Sequence, residues 1–357
     1  MGARVVRCDR RAGHLLQSSD RAAGVPLRGA GDAWSHRVTV TTDVRSLDGA
    51  PRPHARAAAA VRSVLVPIDL TAISDRLIAR LALLPLADDA RITLLHVVPD
   101  SLRVRDQHRA ERDAHRFLDD EAGYLADALS DHVSVRPMVT HGAPAKAIVA
   151  RANAMHAELI VMGRGGERAL REVFLGSTAE RVIRASSCPV LVVRLPARRA
   201  YQHPALALEL QPAPHDVIAG MLRVVSGPRP RVTVVHTFDA YYGLASLGLS
   251  DEELAHRHEE LAHAASRELA RILAASVERA RIAPRDAPSW RYLVEAGSPR
   301  INIEKAVRRL GADLLVLGTR GRKGIAHMLL GSVAGDVLRE VPCDVLVVPP
   351  ASASSRH

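Results

Sequence analysis

Aromatic residues are scarce: Phe, Tyr and Trp together make up 3% of the 357 residues. A protein that holds single-stranded nucleic acid by stacking bases on aromatic rings needs more of them, so the formal charge of +10 lacks the platforms that would give it that meaning. Lysine is scarcer still. Of the 49 basic residues only Lys146, Lys305 and Lys323 are lysines, so the basic balance partly reflects arginine usage rather than a binding face. Three cysteines exclude a disulfide framework. Cys188 and Cys343 stand at equivalent places beside a final strand and read as small core residues. No apolar run approaches the roughly 18 residues of a membrane span. These shortages point to a soluble, cytoplasmic protein with no membrane partner.

Residues 1–60 hold ten arginines against five aspartates and are rich in Gly, Ala, Ser and Pro. So little periodic apolar content cannot offset the entropy of ordering, and the segment reads as a disordered basic extension. It has neither the apolar core of a signal peptide nor a clean amphipathic face.

One glycine-rich stretch is present twice, 155 residues apart. Gly163-Arg164-Gly165-Gly166 is followed, after nine intervening residues, by Gly176-Ser177, and Gly318-Thr319-Arg320-Gly321 in the same way by Gly331-Ser332. Each copy follows an apolar run and precedes a helical pattern. Such a turn suits an anion: glycines allow close approach and positive φ, and a helix start offers unpaired N–H groups and the positive end of its dipole. The repeat continues outside the loops. Arg91 to His96 matches Arg231 to His236 at an offset of 140, and Gly142-Ala143-Pro144 matches Gly297-Ser298-Pro299 at 155.

Strand and helix patterns alternate in each half, with strands expected at 63–69, 91–98, 133–139, 159–162 and 190–193. Helices are expected at 73–84, 106–129, after Pro144 and from Ser177. The last strands, 190–193 and 345–348, are apolar throughout, as parallel strands covered on both faces are. Ser177 and Glu180 have the spacing of a capping box. The pattern predicts two tandem doubly wound α/β domains, 61–197 and 203–350. In such sheets ligands sit beyond the carboxyl ends of the strands where the winding reverses, which brings Asp69 opposite Gly163 if the first strand neighbours the one before the loop.

Val66-Pro67-Ile68-Asp69, Leu95-His96-Val97, Gly142-Ala143-Pro144, the doubled glycine loop and Cys188-Pro189-Val190-Leu191-Val192-Val193 together resemble the universal stress protein family in its tandem form, over roughly residues 61–350. The resemblance implies a Rossmann-type fold like that of the adenine-nucleotide α-hydrolases. It implies an intramolecular pseudo-dimer whose last strands meet across a pseudo-twofold, with a homodimer as a further association. It also implies ATP as ligand, with Mg²⁺ as its counter-ion. The nucleotide-binding residues would be Pro67, Asp69, Val97, Gly163, Gly166, Gly176, Ser177 and Thr178: Asp69 and the Val97 backbone hold the adenosine, and the glycines, Ser177 and Thr178 hold the phosphates. In the second half the same register gives Glu209, Gly318, Gly321, Gly331, Ser332 and Val333. Glu209 replaces Asp69 and Ala207 replaces Pro67, so this copy reads as a degraded or altered nucleotide site.

No Gly-Lys-Ser/Thr closes either loop, which sets it apart from a P-loop. No obvious metal carboxylate or base to activate water accompanies it. A nucleotide-dependent sensor or regulator, read by a protein partner, is the expected function. A slow adenine-nucleotide hydrolase is the alternative, and a basic nucleic-acid binder a weaker one. His256, His258 and His263 with Glu259 and Glu260 lie on a helical stretch, but His258 and His263 stand about 140° apart around a helix, unlike a zincin pair. No metal ligand or catalytic residue is assigned. His96 and His236, at equivalent strand ends, mark a position of the fold beside the site.

Overall fold

The alternation read from the sequence becomes ten strands and eight helices among the described residues. The computed structural model describes residues 60–71, 74–129, 132–165, 176–210, 214–225, 229–238, 250–319 and 331–350, all within one compact unit. The extension 1–59 and the loop bodies 166–175 and 320–330, including Gly166 and Gly321, fall outside these. The first repeat runs β1 (Val61–Pro67), α1 (Ser74–Leu81), β2 (Leu86–Val98), α2 (Val104–Ala128), β3 (Ser134–His141), α3 (Pro144–Ala154), β4 (Leu159–Gly163), α4 (Ser177–Ala185) and β5 (Val190–Val193). The second runs β6 (Pro204–Ala207), α5 (His215–Val224), β7 (Arg231–Phe238), α6 (Asp251–Arg279), β8 (Ser289–Ala296), α7 (Pro299–Leu310), β9 (Leu314–Gly318), α8 (Ser332–Glu340) and β10 (Asp344–Val348).

All ten strands form one sheet in the order β3-β2-β1-β4-β5-β10-β9-β6-β7-β8. Within each repeat the pairings are parallel, and the order reverses beside β1 and β6, as in doubly wound folds. Between the repeats β5 and β10 pair antiparallel, Leu191 opposite Leu346. Those two leucines are equivalent at the offset of 155, so the local dyad passes between them. The register repeats as well. Val64 opposes Leu159 where Pro204 opposes Leu314, and Leu65 opposes Thr93 where Ala205 opposes Thr233. Position 209 is therefore the structural counterpart of Asp69.

Each face of the sheet carries one continuous core spanning both repeats. On one face lie Leu77 and Ile78 of α1, Leu118 and Leu125 of α2, Ile218 and Met221 of α5 and Leu269 and Ile272 of α6. On the other lie Ile148 of α3, Val182 and Ile183 of α4, Ile303 and Val307 of α7 and Val337 and Leu338 of α8. The apolar spacing along each helix turns one stripe to the sheet.

Three local expectations are corrected. α1 ends at Leu81 rather than 84, because Leu83 and Leu84 bond back three residues in tight turns. β2 begins at Leu86, with a register shift against β1 between Val61 and Ser63; two aspartates, poor strand formers, hide this edge segment in the sequence. The capping box lies not at Ser177–Glu180 but at Ser250–Glu253. There the Ser250 hydroxyl accepts from the Glu253 amide at 3.3 Å and Glu253 takes the Ser250 amide at 2.8 Å. Ser250→Ala is expected to cost about 1 kcal/mol, seen as faster amide exchange in the first turn of α6 with the core amides unchanged.

Candidate functional site

β1 and β4 are adjacent and parallel, so Asp69 and Gly163 leave the same carboxyl edge of the sheet on neighbouring strands. Asp69 is exposed just beyond the buried Ile68. Its Oδ1 accepts from the Thr71 hydroxyl at 2.7 Å and the Thr71 amide at 3.3 Å, an Asx-type turn that fixes the carboxylate. The second oxygen takes no part in that turn. Leu70 between them has φ of +59°, a left-handed conformation costing a leucine about 1–2 kcal/mol. The Asp69 turn and the packing of Leu70 on the core hold it there.

A group that sequence reasoning left without a task sets the height of this turn. His96 Nδ1 lies 2.8 Å from the Ile68 carbonyl oxygen, and that residue's amide donates to Leu95 O at 2.8 Å. A carbonyl only accepts, so Nδ1 carries the proton. His236 repeats the contact on Leu208 O at 2.8 Å, and Leu208 N donates to Val235 O at 3.0 Å. Both histidines strap the end of the first strand of their repeat, immediately before Asp69 or Glu209. The recurrence of histidine at an offset of 140 was the signal.

The glycine loops are closed at the neck. Gly176 N donates to Arg164 O at 2.6 Å, and Gly331 N to Thr319 O at 3.2 Å. A β-carbon on Gly176 would lie 2.6 Å from the Arg164 oxygen and 3.1 Å from Gly165 Cα. Gly176 has φ of −63° and Gly331 −54°, so close approach rather than positive φ demands glycine at 176. The positive φ expected of the loop occurs at Gly165, +113°. Gly176 and Gly331 are the N-caps of α4 and α8, and among the described residues neither helix start has a side-chain cap. Glu180 pairs instead with Arg184 at 2.6 Å, which leaves the first amides of α4 without the carboxylate the sequence had offered. Uncapped amides beside a pinched glycine neck are what an anion requires. Ser177 is exposed and Thr178 half-buried, and Ser332 and Val333 repeat that pattern.

The two clefts differ on their other wall. Glu209 is exposed where Asp69 is, with a longer side chain. Thr237 stands at the place of Val97, its buried hydroxyl lacking a hydrogen-bond partner among the described residues. Gly318 lies against α5, where a β-carbon would meet Val217 Cγ2 at 3.1 Å.

The universal stress protein family model matches residues 60–194 and again 211–349. The chain belongs to the universal stress protein family. A universal stress protein of Mycolicibacterium smegmatis is 28% identical over 303 residues, 80% of this chain and 97% of that protein. One from Synechocystis is 32% identical over 111 residues, 31% of this chain and 67% of that protein. The crystal structure of an Archaeoglobus fulgidus universal stress protein shares the fold, with a TM-score of 0.55 at 17% identity over 82% of this chain and 97% of its own. This universal stress protein thus carries two copies of the family domain, as the repeat predicted.

On α6 His256 faces Glu260 at 3.5 Å and His263 faces Glu259 at 3.7 Å, while His258 stacks edge-on against Phe238. The three rings therefore do not converge. Cys188 and Cys343 are buried in the core. Burial pushes both thiols up, that of Cys343 to about 12, so neither is a thiolate at neutral pH. No helix among the described residues is long and apolar enough to cross a membrane.

Proposed function

We propose that this universal stress protein is an ATP-binding regulator whose first cleft is the principal nucleotide site. The observation that supports the reading is the convergence, at one switch point, of the turn-fixed Asp69 carboxylate with a pinched glycine neck and an uncapped helix start. In this reading Asp69 and the Val97 backbone, beside Pro67, hold the adenosine; Gly163, Gly166, Gly176, Ser177 and Thr178 take the phosphates, with Mg²⁺ as counter-ion. Glu209, Gly318, Gly321, Gly331, Ser332 and Val333 form a second, altered site. The reading gives no residue the role of a base that activates water. In it the nucleotide acts by occupancy, which a protein partner reads at the loop and its helix.

Calorimetry with Mg-ATP tests this. Asp69→Ala is expected to weaken binding about tenfold to a hundredfold, the worth of one or two charge-assisted hydrogen bonds. Glu209→Ala should change it several-fold less. Equal losses would give the two clefts equal standing, and absence of adenine-nucleotide binding would end the proposal. Turnover at about 1 per second or faster would make the protein a hydrolase instead of a regulator.

A further inference from the structure

The two strands that join the repeats have the same sequence. Val190-Leu191-Val192-Val193 and Val345-Leu346-Val347-Val348 are identical, and they pair antiparallel about the dyad. Nothing in the four shared residues tells the first repeat to choose the second rather than another copy of itself.

The symmetry fails beside them, and there the side chains are charged and buried. Asp344, at the start of β10, is wholly buried (0% exposed). Its Oδ1 accepts from the amides of Arg194 at 2.7 Å and Leu195 at 2.9 Å, and its Oδ2 from the Tyr201 hydroxyl at 2.8 Å. Arg80 of α1, 3% exposed, brings Nε to 3.2 Å from the same Oδ2. Its guanidinium lies 4.0 Å over the Tyr201 ring and donates to Arg199 O at 3.1 Å. The Arg194 guanidinium crosses to the carbonyls of Leu338 and Val341 at the end of α8. Burial raises the Tyr201 phenol well above its usual range, and the neighbouring Asp344 raises it further, so it remains a donor.

None of these residues has a counterpart across the dyad. Pro189 stands where Asp344 would, Gly220 where Arg80 would, and Pro349 where Arg194 would. On that side the contact is apolar, and Gly220 sits directly against Val348. Two first repeats joined through β5 would therefore bury Arg80 and the amides of Arg194 and Leu195 opposite proline, twice over. Two second repeats joined through β10 would bury Asp344 opposite glycine and proline, also twice. A buried charge without its partner is among the costliest defects in a protein.

We propose that this one-sided network makes the β5–β10 junction selective: each first repeat accepts a second repeat and rejects a like repeat from another copy of the chain. The partner of each edge is thereby set by the charged side chains flanking the shared Val-Leu-Val-Val segment, with Asp344 at the start of β10, and not by that segment. The network need not raise stability, since buried pairs often break even against apolar replacements.

Thermal unfolding of the full chain with Arg80→Met, Asp344→Asn and both together gives the first readout, asparagine removing the charge while keeping an acceptor for the Arg194 and Leu195 amides and a polar partner for the Tyr201 hydroxyl. Each single change is expected to lower Tm by about 10 °C, and the pair to recover most of that loss because no lone charge remains. Additive losses, or a double variant that does not fold, would show that Arg80 and Asp344 are not reciprocal partners and overturn the proposal. The second readout adds Leu191→Cys to the wild-type and double-variant chains. At the dyad this thiol faces Leu346 in the present pairing but its own copy in a like-with-like junction. After refolding under a mild oxidant, disulfide-linked dimers dependent on Leu191→Cys should form in the double variant and not beside the intact network. Linked dimers in both backgrounds, or in neither, would overturn the selectivity.

Discussion

Replacing Gly176 with valine is expected to abolish most ATP binding at the first cleft, a loss of roughly 2 kcal/mol or more, since charge-assisted hydrogen bonds of about 1.5–3 kcal/mol each are at stake. The geometry makes the effect larger than a side chain intruding on the ligand. Even a β-carbon would stand 2.6 Å from Arg164 O, which is the acceptor for Gly176 N in the neck. A valine must therefore open the neck, and opening it swings the first amides of α4 away from Asp69. The fold should survive, because Gly176 is only half-buried and the apolar stripe of α4 begins at Ala179. Calorimetry with Mg-ATP, alongside a melting curve, separates the two effects. Undiminished affinity would mean that the neck is not part of the site. Gly331→Val at the second neck should cost less total binding if Glu209 has already altered that cleft; equal losses would show two working sites.

The repeat made the fold legible, because an offset that holds from strand to loop fixes register as well as topology. The sequence alone matches Asp69 to Glu209, and Val64–Leu159 against Pro204–Leu314 bears out that alignment. Local competition was harder to read. Ser177 and Glu180 have capping-box spacing, but Arg184 one turn on takes the carboxylate and the glycine becomes the cap. Side chains whose partners are remote in the chain were not legible at all. Arg80 is a charged residue on a short amphipathic helix, which normally faces water. Only the meeting of α1 with β10 reveals its carboxylate, Asp344, and the exchange of proline for aspartate after the final cysteine of each repeat reads in the sequence as mere divergence. The glycine loops were found from spacing, yet the reason for glycine at 176 is a carbonyl twelve residues earlier, a contact that no propensity encodes.

Gly220→Leu is expected to be the most damaging single change on the apolar side of the junction, lowering stability by about 3 kcal/mol, the upper end of overpacking penalties. Leucine is a far better helix former than glycine, a gain of up to about 1 kcal/mol on α5, so any loss must come from packing. A β-carbon at 220 would meet Val348 Cγ2 at 2.7 Å and Cγ1 at 3.3 Å, and valine, branched at Cβ, has little rotamer freedom with which to yield. Val348 in turn lies beside Gly318 in the β9–β10 register and accepts the Thr319 amide at 3.1 Å. The displacement therefore travels to the neck of the second glycine loop and not to the first. Two outcomes identify this path. Gly220→Ala should destabilise the chain with Val348 in place but stabilise it in a Val348→Ala background, where the new methyl fills the space and the helix gains. Mg-ATP affinity at the first cleft should be unchanged in Gly220→Ala, while amide exchange at Thr319 and Gly331 accelerates. A loss of the same sign in both backgrounds would mean that Gly220 is required for something other than its contact with Val348.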